Sequence, residues 1–288
     1  MERLTNISTV RELLSRHGFT FSKALGQNFL INPSVCPRMA EAAVTDDNTG
    51  VLEIGPGIGV LTNELLKRAK KVVAVELDGR LLPVLDETLG EYDNLRVIHA
   101  DVMELDLRRV IEEEFPGMRV VVCANLPYYI TSPVIMKLLE ERLPIDTITV
   151  MVQKEAALRL CAGEGSRDSS AITAAVRYYA SPELLFHVSA GSFMPAPKVD
   201  SAVIQLTLRE PEYKPLDEKT LFCVIKAAFA QRRKTVLNSI SSSMSLDKSE
   251  LSGILKSAGV EPTARAEQLT LRDFVRISDA IDKGGNDG

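Results

Sequence analysis

The chain has 288 residues, 45% of them hydrophobic, with a net charge of −5, which gives ample material for a sizeable core and a length suited to two domains. Its four cysteines, Cys36, Cys123, Cys161 and Cys223, are widely scattered, which argues against a disulfide-built scaffold or a cysteine metal site and for a reduced cytoplasm. Glu2, Arg3, Arg11 and Glu12 stand where a secretory peptide would need an apolar run, and no segment approaches membrane-spanning length, so a soluble, cytoplasmic protein with no membrane partner is expected.

Residues 51–54 read as a short buried strand and residues 60–69, with apolar side chains at Val60, Leu61, Leu65, Leu66 and Ala69, as a helix facing a sheet. Between them lies Glu53-Ile54-Gly55-Pro56-Gly57-Ile58-Gly59. These glycines sit at a strand-to-helix turn, where an absent Cβ lets the chain turn tightly and lets a ligand touch the main chain. The next strand, 71–77, places Glu76 about 20 residues beyond the loop, where a carboxylate can accept from both hydroxyls of a ribose. A dinucleotide fingerprint has the spacing G-x-G-x-x-G, whereas Gly55, Gly57 and Gly59 give G-x-G-x-G behind an acid. That spacing favours S-adenosylmethionine over NAD. A third strand, 95–100, ends at Asp101, a candidate acceptor for the cofactor's adenine amino group and also a candidate cap for a helix over 102–107.

A fourth strand, 119–124, delivers Asn125-Leu126-Pro127-Tyr128 to the same edge of the sheet, where open α/β folds bind ligands. An adenine N6 is a poor nucleophile because its lone pair is delocalised into the ring. Two acceptors aimed at its hydrogens, the Asn125 side-chain oxygen and the Leu126 carbonyl, favour a more tetrahedral nitrogen. Pro127 stiffens the turn that holds them, and Tyr128 offers a face on which a flipped-out base can stack. This chemistry is mainly alignment and electrostatics and calls for no metal.

Further along, residues 163–168 are polar and turn-rich and read as a mobile loop. A strand-like stretch, 184–188, precedes Phe193, which lies in a proline-braced loop opposite Tyr128 or, as a bland alternative, in the core. After a strand over 202–208, the proline-flanked, charged residues 209–215 read as a linker. Helical patterns then cover 218–229, 235–243, 248–258 and 271–281, so a catalytic α/β domain (1–210) and a small C-terminal helical domain (216–288) are expected. From 219 to 243 the chain has Lys219, Lys226, Arg232, Arg233 and Lys234 and no acids. The Arg232-Arg233-Lys234 cluster is either a phosphate-binding patch or a solvated helix face. Arg3, Arg11, Arg16 and Lys23 add basic charge near the N-terminus, and His17, His99 and His187 read as structural or surface residues.

Several blocks together resemble the bacterial ribosomal RNA small-subunit adenine dimethyltransferases: residues 23–30 (Lys-Ala-Leu-Gly-Gln-Asn-Phe-Leu), 53–62, 125–128, 193–203, 229–235 and 265–270. The resemblance runs from about residue 21 to 281. It implies a Rossmann-like S-adenosylmethionine-dependent methyltransferase fold with residues 1–30 as an N-terminal extension. It also implies dimethylation of N6 of two adjacent adenosines in the 3′-terminal hairpin loop of 16S ribosomal RNA, late in small-subunit biogenesis. Carried over by residue, Asn28, Leu30, Gly55, Glu76, Asp101 and Asn125 are expected at the cofactor and Asn125, Tyr128 and Phe193 at the target base; the residues' own chemistry adds Gly57 at the cofactor, Leu126 at the base and Arg232, Arg233 and Lys234 on RNA. The partner implied is 16S ribosomal RNA within the small subunit, and a monomer is expected. One departure stands out: family members usually carry Tyr-Gly-x-Leu-Ser where this chain has Ser169-Ser170-Ala171-Ile172-Thr173, which bears on local packing or an RNA contact. Two other readings stay open: a related large-subunit methylase of the macrolide-resistance type, against which Gly26 and the basic block argue, and a mainly non-catalytic assembly factor.

Overall fold

A computed structural model describes residues 4–19 and 27–285; residues 23–26 of the first signature block, and Arg3 with it, lie outside them. The chain forms two compact units, one of residues 1–157 and 182–208, the other of 158–181 and 209–288.

In chain order the first unit holds α1 (Ile7–Arg16), β1 (Phe29–Leu30), α2 (Val35–Ala43), β2 (Thr49–Ile54), α3 (Val60–Leu66), β3 (Lys71–Glu76), α4 (Leu82–Leu89), β4 (Leu95–His99), α5 (Leu107–Glu114), β5 (Arg119–Asn125), α6 (Thr131–Glu140) and β6 (Thr147–Gln153). After α7 (Lys154–Leu160) and α8 (Ala171–Tyr179) the chain runs through β7 (Ala180–Val188), β8 (Phe193–Met194) and β9 (Ser201–Leu208). The main sheet has the order β4-β3-β2-β5-β6-β9-β7. Neighbours from β4 to β6 are parallel and β9 is antiparallel to β6. β2 is buried along its whole length and β5 and β6 nearly so, the mark of parallel strands covered on both faces. Helices show the complementary period: α5 buries Leu107, Val110, Ile111 and Glu114, spaced three and four apart on one stripe. The chain builds outward from β2 through β3 to β4, then returns to lay β5 on the other side of β2. The carboxyl ends of β2 and β5 therefore meet at the topological switch point, where doubly wound sheets bind ligands.

The second unit contains α8, then α9 (Glu218–Phe229), α10 (Val236–Met244), α11 (Lys248–Ser257) and α12 (Leu271–Gly285). α9 is its hub, packing on α8, α10 and α12. The expected break at 209–215 is where the chain enters this unit for its last stretch, but residues 158–181 lie in the unit too. The reason is aromatic packing: the Phe222 ring on α9 stacks on Tyr179 at 5.6 Å and meets Tyr178 edge-on at 5.4 Å. Both tyrosine hydroxyls also donate to the Glu218 carboxylate.

Candidate active site

The glycine loop is held open by backbone geometry. Gly59 caps α3 in the left-handed region at φ 87°, and a Cβ there would lie 2.6 Å from Leu89 Cδ1, so both conformation and packing require glycine. Gly57 donates its N–H to Glu76 Oε2 at 3.2 Å, and Asp78 donates to Glu76 Oε1 at 2.8 Å. Glu76 thus stands at the end of β3 with its carboxylate fixed against the loop and only 6% exposed. Burial pushes its carboxyl above the ordinary value, and the two backbone donors oppose that shift. Each carboxylate oxygen has a lone pair beyond its backbone bond.

Beside it, the Arg80 guanidinium draws the Asp78 carboxyl down to about 2. Asp78 also accepts from Gln27 Nε2 at 2.8 Å, which ties the segment leading into Asn28 to the end of β3. Asp101 does not begin a helix. Its Oδ1 accepts from Met103 N–H at 2.8 Å in a tight turn, and α5 starts only at Leu107, capped by Asp106 Oδ1 on the Arg109 N–H at 3.0 Å. A short acceptor-rich turn thereby replaces the helix expected over 102–107.

Asn125 is the last residue of β5, in register with Met151 of β6. Its side-chain amide has no hydrogen-bond partner among the described residues. The Leu126 N–H donates to the Met151 carbonyl at 3.3 Å and the Ile130 N–H to the Pro127 carbonyl at 3.2 Å, so residues 127–130 form a turn that feeds α6. Within that turn Tyr128 is directed inward, its hydroxyl 2.7 Å from Ser201 Oγ. Ser201 is fully buried at the start of β9.

The remaining wall comes from a two-stranded pairing that local sequence does not announce. β1 runs antiparallel to β8, with Leu30 opposite Phe193 and Phe29 opposite Met194. Phe193 is 3% exposed and packs in the main hydrophobic cluster, and it also lines the cleft. One cavity at the carboxyl edge of the sheet is lined by Asn28, Glu76, Asp101, Asn125, Tyr128 and Phe193. Leu30, Gly55, Gly57 and Leu126 line it as well, so every residue expected at cofactor or base reaches one site.

Three residues were not singled out from sequence as part of this site. Glu53, named only as the acid before the glycines, lines the cleft at 1% exposure, and burial pushes its carboxyl up to about 8, with the Glu76 charge acting in the same direction. Ser201 falls within a signature block but shows its purpose only through Tyr128. Tyr129 lies on the cleft wall, exposed, where adjacency to Tyr128 was the one available signal.

The basic cluster belongs to the second unit. Arg232, Arg233 and Lys234 are exposed in the turn between α9 and α10, not on a helix face as one of the two readings had it. Arg232 donates to the Arg167 carbonyl at 3.2 Å, and none of the three has a carboxylate partner among the described residues. In the same unit the departing segment 169–173 is a helix start. Ser170 and Thr173 form a reciprocal capping box for α8, and Ser169 Oγ donates to the Gly163 carbonyl at 2.9 Å. Among the described residues no helix is long and apolar enough to cross a membrane, and no group of three His, Cys, Asp or Glu is placed to hold a metal ion.

The sequence model of a family described as ribosomal RNA adenine dimethylase matches residues 18–283. The chain is 48% identical over 276 residues to a ribosomal RNA small subunit methyltransferase A of Geobacillus sp. (strain WCH70), covering 94% of this chain and 95% of the relative. It is 42% identical to the protein of that name from Alkaliphilus oremlandii, over 98% of this chain and 99% of the relative. Among solved structures it resembles a dimethyladenosine transferase from Plasmodium falciparum, with TM-score 0.72, 28% identity and coverage of 89% and 98%. It also resembles the 23S rRNA methyltransferase ErmE, with TM-score 0.66, 28% identity and coverage of 88% and 100%.

Proposed function

The chain belongs to the ribosomal RNA adenine dimethylase family, and from that premise we propose that it uses S-adenosylmethionine to dimethylate N6 of two adjacent adenosines in the 3′-terminal hairpin loop of 16S ribosomal RNA. The substrate is the small ribosomal subunit in the cytoplasm, at a late stage of its biogenesis. The observation that carries this reading is the Asn125 amide, unpartnered at the end of β5 and facing the cavity that Glu76, Tyr128 and Phe193 share. The greater likeness to small-subunit relatives, at 42 and 48% identity against 28% for ErmE, favours the small subunit over the large.

The residues present fit the cofactor. Gly55 leaves bare backbone on the cavity wall, its nearest prospective Cβ neighbour being Pro127 Cδ at 4.0 Å. Glu76 has acceptor capacity for two ribose hydroxyls beyond its backbone bonds, and the Asp101 carboxylate is available to an adenine amino group. Asn28 and Leu30 close the cleft from the N-terminal side. When bound, S-adenosylmethionine supplies a methyl group on a sulfonium, a good leaving group that needs no covalent help from the protein.

The chain's own part is positional and electrostatic. Tyr128 and Phe193 offer two apolar faces for an extruded adenine. The Asn125 side-chain oxygen and the Leu126 carbonyl accept the two N6 hydrogens, which localises the nitrogen lone pair and stabilises the positive charge that grows there. The Pro127–Ile130 turn sets these acceptors before the substrate arrives, so no reorganisation is needed during reaction. Arg232, Arg233 and Lys234 hold phosphates despite the chain's negative total charge, since local rather than net charge decides backbone binding. Incubation with radiolabelled S-adenosylmethionine and unmethylated small subunits, followed by mapping of modified nucleotides, tests the proposal. Two adjacent dimethylated adenosines near the 3′ end of 16S ribosomal RNA are expected; label confined to large-subunit RNA, or absent altogether, would overturn it.

A further inference from the structure

Tyr129 is exposed at 53%, and of the phenylalanines and tyrosines among the described residues it alone is exposed. Its hydroxyl has no hydrogen-bond partner among them, so neither packing nor polar contacts within the fold account for an aromatic ring there. Its place is specific. Tyr128 and Tyr129 are the two central residues of the Pro127–Ile130 turn, whose geometry sends consecutive side chains in different directions. Tyr128 goes inward to Ser201, and Tyr129 is left on the outer lip of the same cavity.

We propose that Tyr129 is a second stacking platform, which holds the nucleotide next to the adenosine in the pocket. This rests on the reading that two adjacent adenosines are modified. Extruding one base into the site breaks its stacking on the neighbour, and the neighbour then needs a new face. An exposed ring beside the pocket supplies one, and base–aromatic stacking tolerates any base because each has a π-face. Adjacent residues of one turn thus serve adjacent nucleotides: the inner ring grips the base under reaction, the outer ring keeps the other base close. Exchange of the two adenosines between platform and pocket then needs no release of the subunit.

The test compares wild type, Tyr129→Phe and Tyr129→Ala on unmethylated small subunits with nucleotide-resolved readout. For Tyr129→Ala the apparent KM for subunits should rise about tenfold, the scale of losing one stacked base. More of the product should carry only one dimethylated adenosine, and the Kd for S-adenosylmethionine should stay within about twofold of wild type. Tyr129→Phe keeps the ring and should behave as wild type. If wild type dimethylates both adenosines and Tyr129→Ala does so with unchanged KM and product distribution, the platform is refuted and the assigned activity stands. If wild type modifies no adjacent pair, the assigned activity and the platform both fall.

Discussion

The Tyr128 hydroxyl and Ser201 Oγ lie 2.7 Å apart across a separation of 73 residues, joining the Asn-Leu-Pro-Tyr turn at the end of β5 to the first residue of β9. The contact fixes the ring at its far end while Pro127 restricts the backbone before it, which sets the orientation of the face proposed to stack on the target base. Ser201→Ala removes one hydrogen bond worth about 1 kcal/mol. Single-turnover methylation should slow about fivefold, while the Kd for S-adenosylmethionine stays unchanged. A variant with wild-type rate and a normal melting temperature would remove Ser201 from the positioning of Tyr128.

Asn125→Ala tests the acceptor itself. The glycine loop, Glu76 and the Tyr128 ring remain, and phosphate contacts elsewhere dominate docking, so subunit binding should be nearly preserved. The single-turnover rate with saturating cofactor should fall about a hundredfold or more, the scale of losing one preorganised group that acts mainly in the transition state. A folded Asn125→Ala protein methylating both adenosines at the wild-type rate would rule out the mechanism.

Charge reversal in the α9–α10 turn separates docking from chemistry. With Arg232, Arg233 and Lys234 all changed to Glu, subunit binding should weaken and its dependence on salt should flatten, because fewer counterions are released on binding. Calorimetry with S-adenosylmethionine should show no change. Equal subunit affinity across a salt titration would mark the cluster as a solvated surface.

Glu53 predicts a pH dependence of stability. Its carboxyl titrates at about 8 in the folded protein against an ordinary 4.5, so between these values the folded form keeps a proton that the unfolded chain releases. Fewer protons on the unfolded state means that stability falls as pH rises through this window. Glu53→Gln has no proton to lose and fills nearly the same space. Its melting temperature, followed from pH 4.5 to 8, should decline less than that of wild type, with the gap widening toward pH 8. Parallel curves for the two proteins would show that Glu53 is charged in the folded state across this range.

The sequence by itself determined the local parts of this protein. Gly55, Gly57 and Gly59 announced a turn whose positive φ angles favour glycine, Glu76 and Asp101 announced strand ends by following buried apolar runs, and residues 218–229 have the period of the helix that α9 forms. These features are legible because strand and helix periodicity and turn chemistry are properties of neighbours in the chain. Even so, Asp101 looked like a helix cap, since a short acceptor before apolar residues suits a helix and a tight turn equally, and the helix start lay at Asp106. Tertiary structure alone decided what lies far apart in sequence. Leu30 faces Phe193 through strand pairing, Ser201 reaches Tyr128 through a sheet register, and residues 158–181 join the helical unit because three aromatic rings pack there. Glu53 reads as any acid beside a glycine loop, and only the folded structure buries it and so raises its carboxyl. Burial and register are sums over many distant contacts, and no window of the sequence contains them.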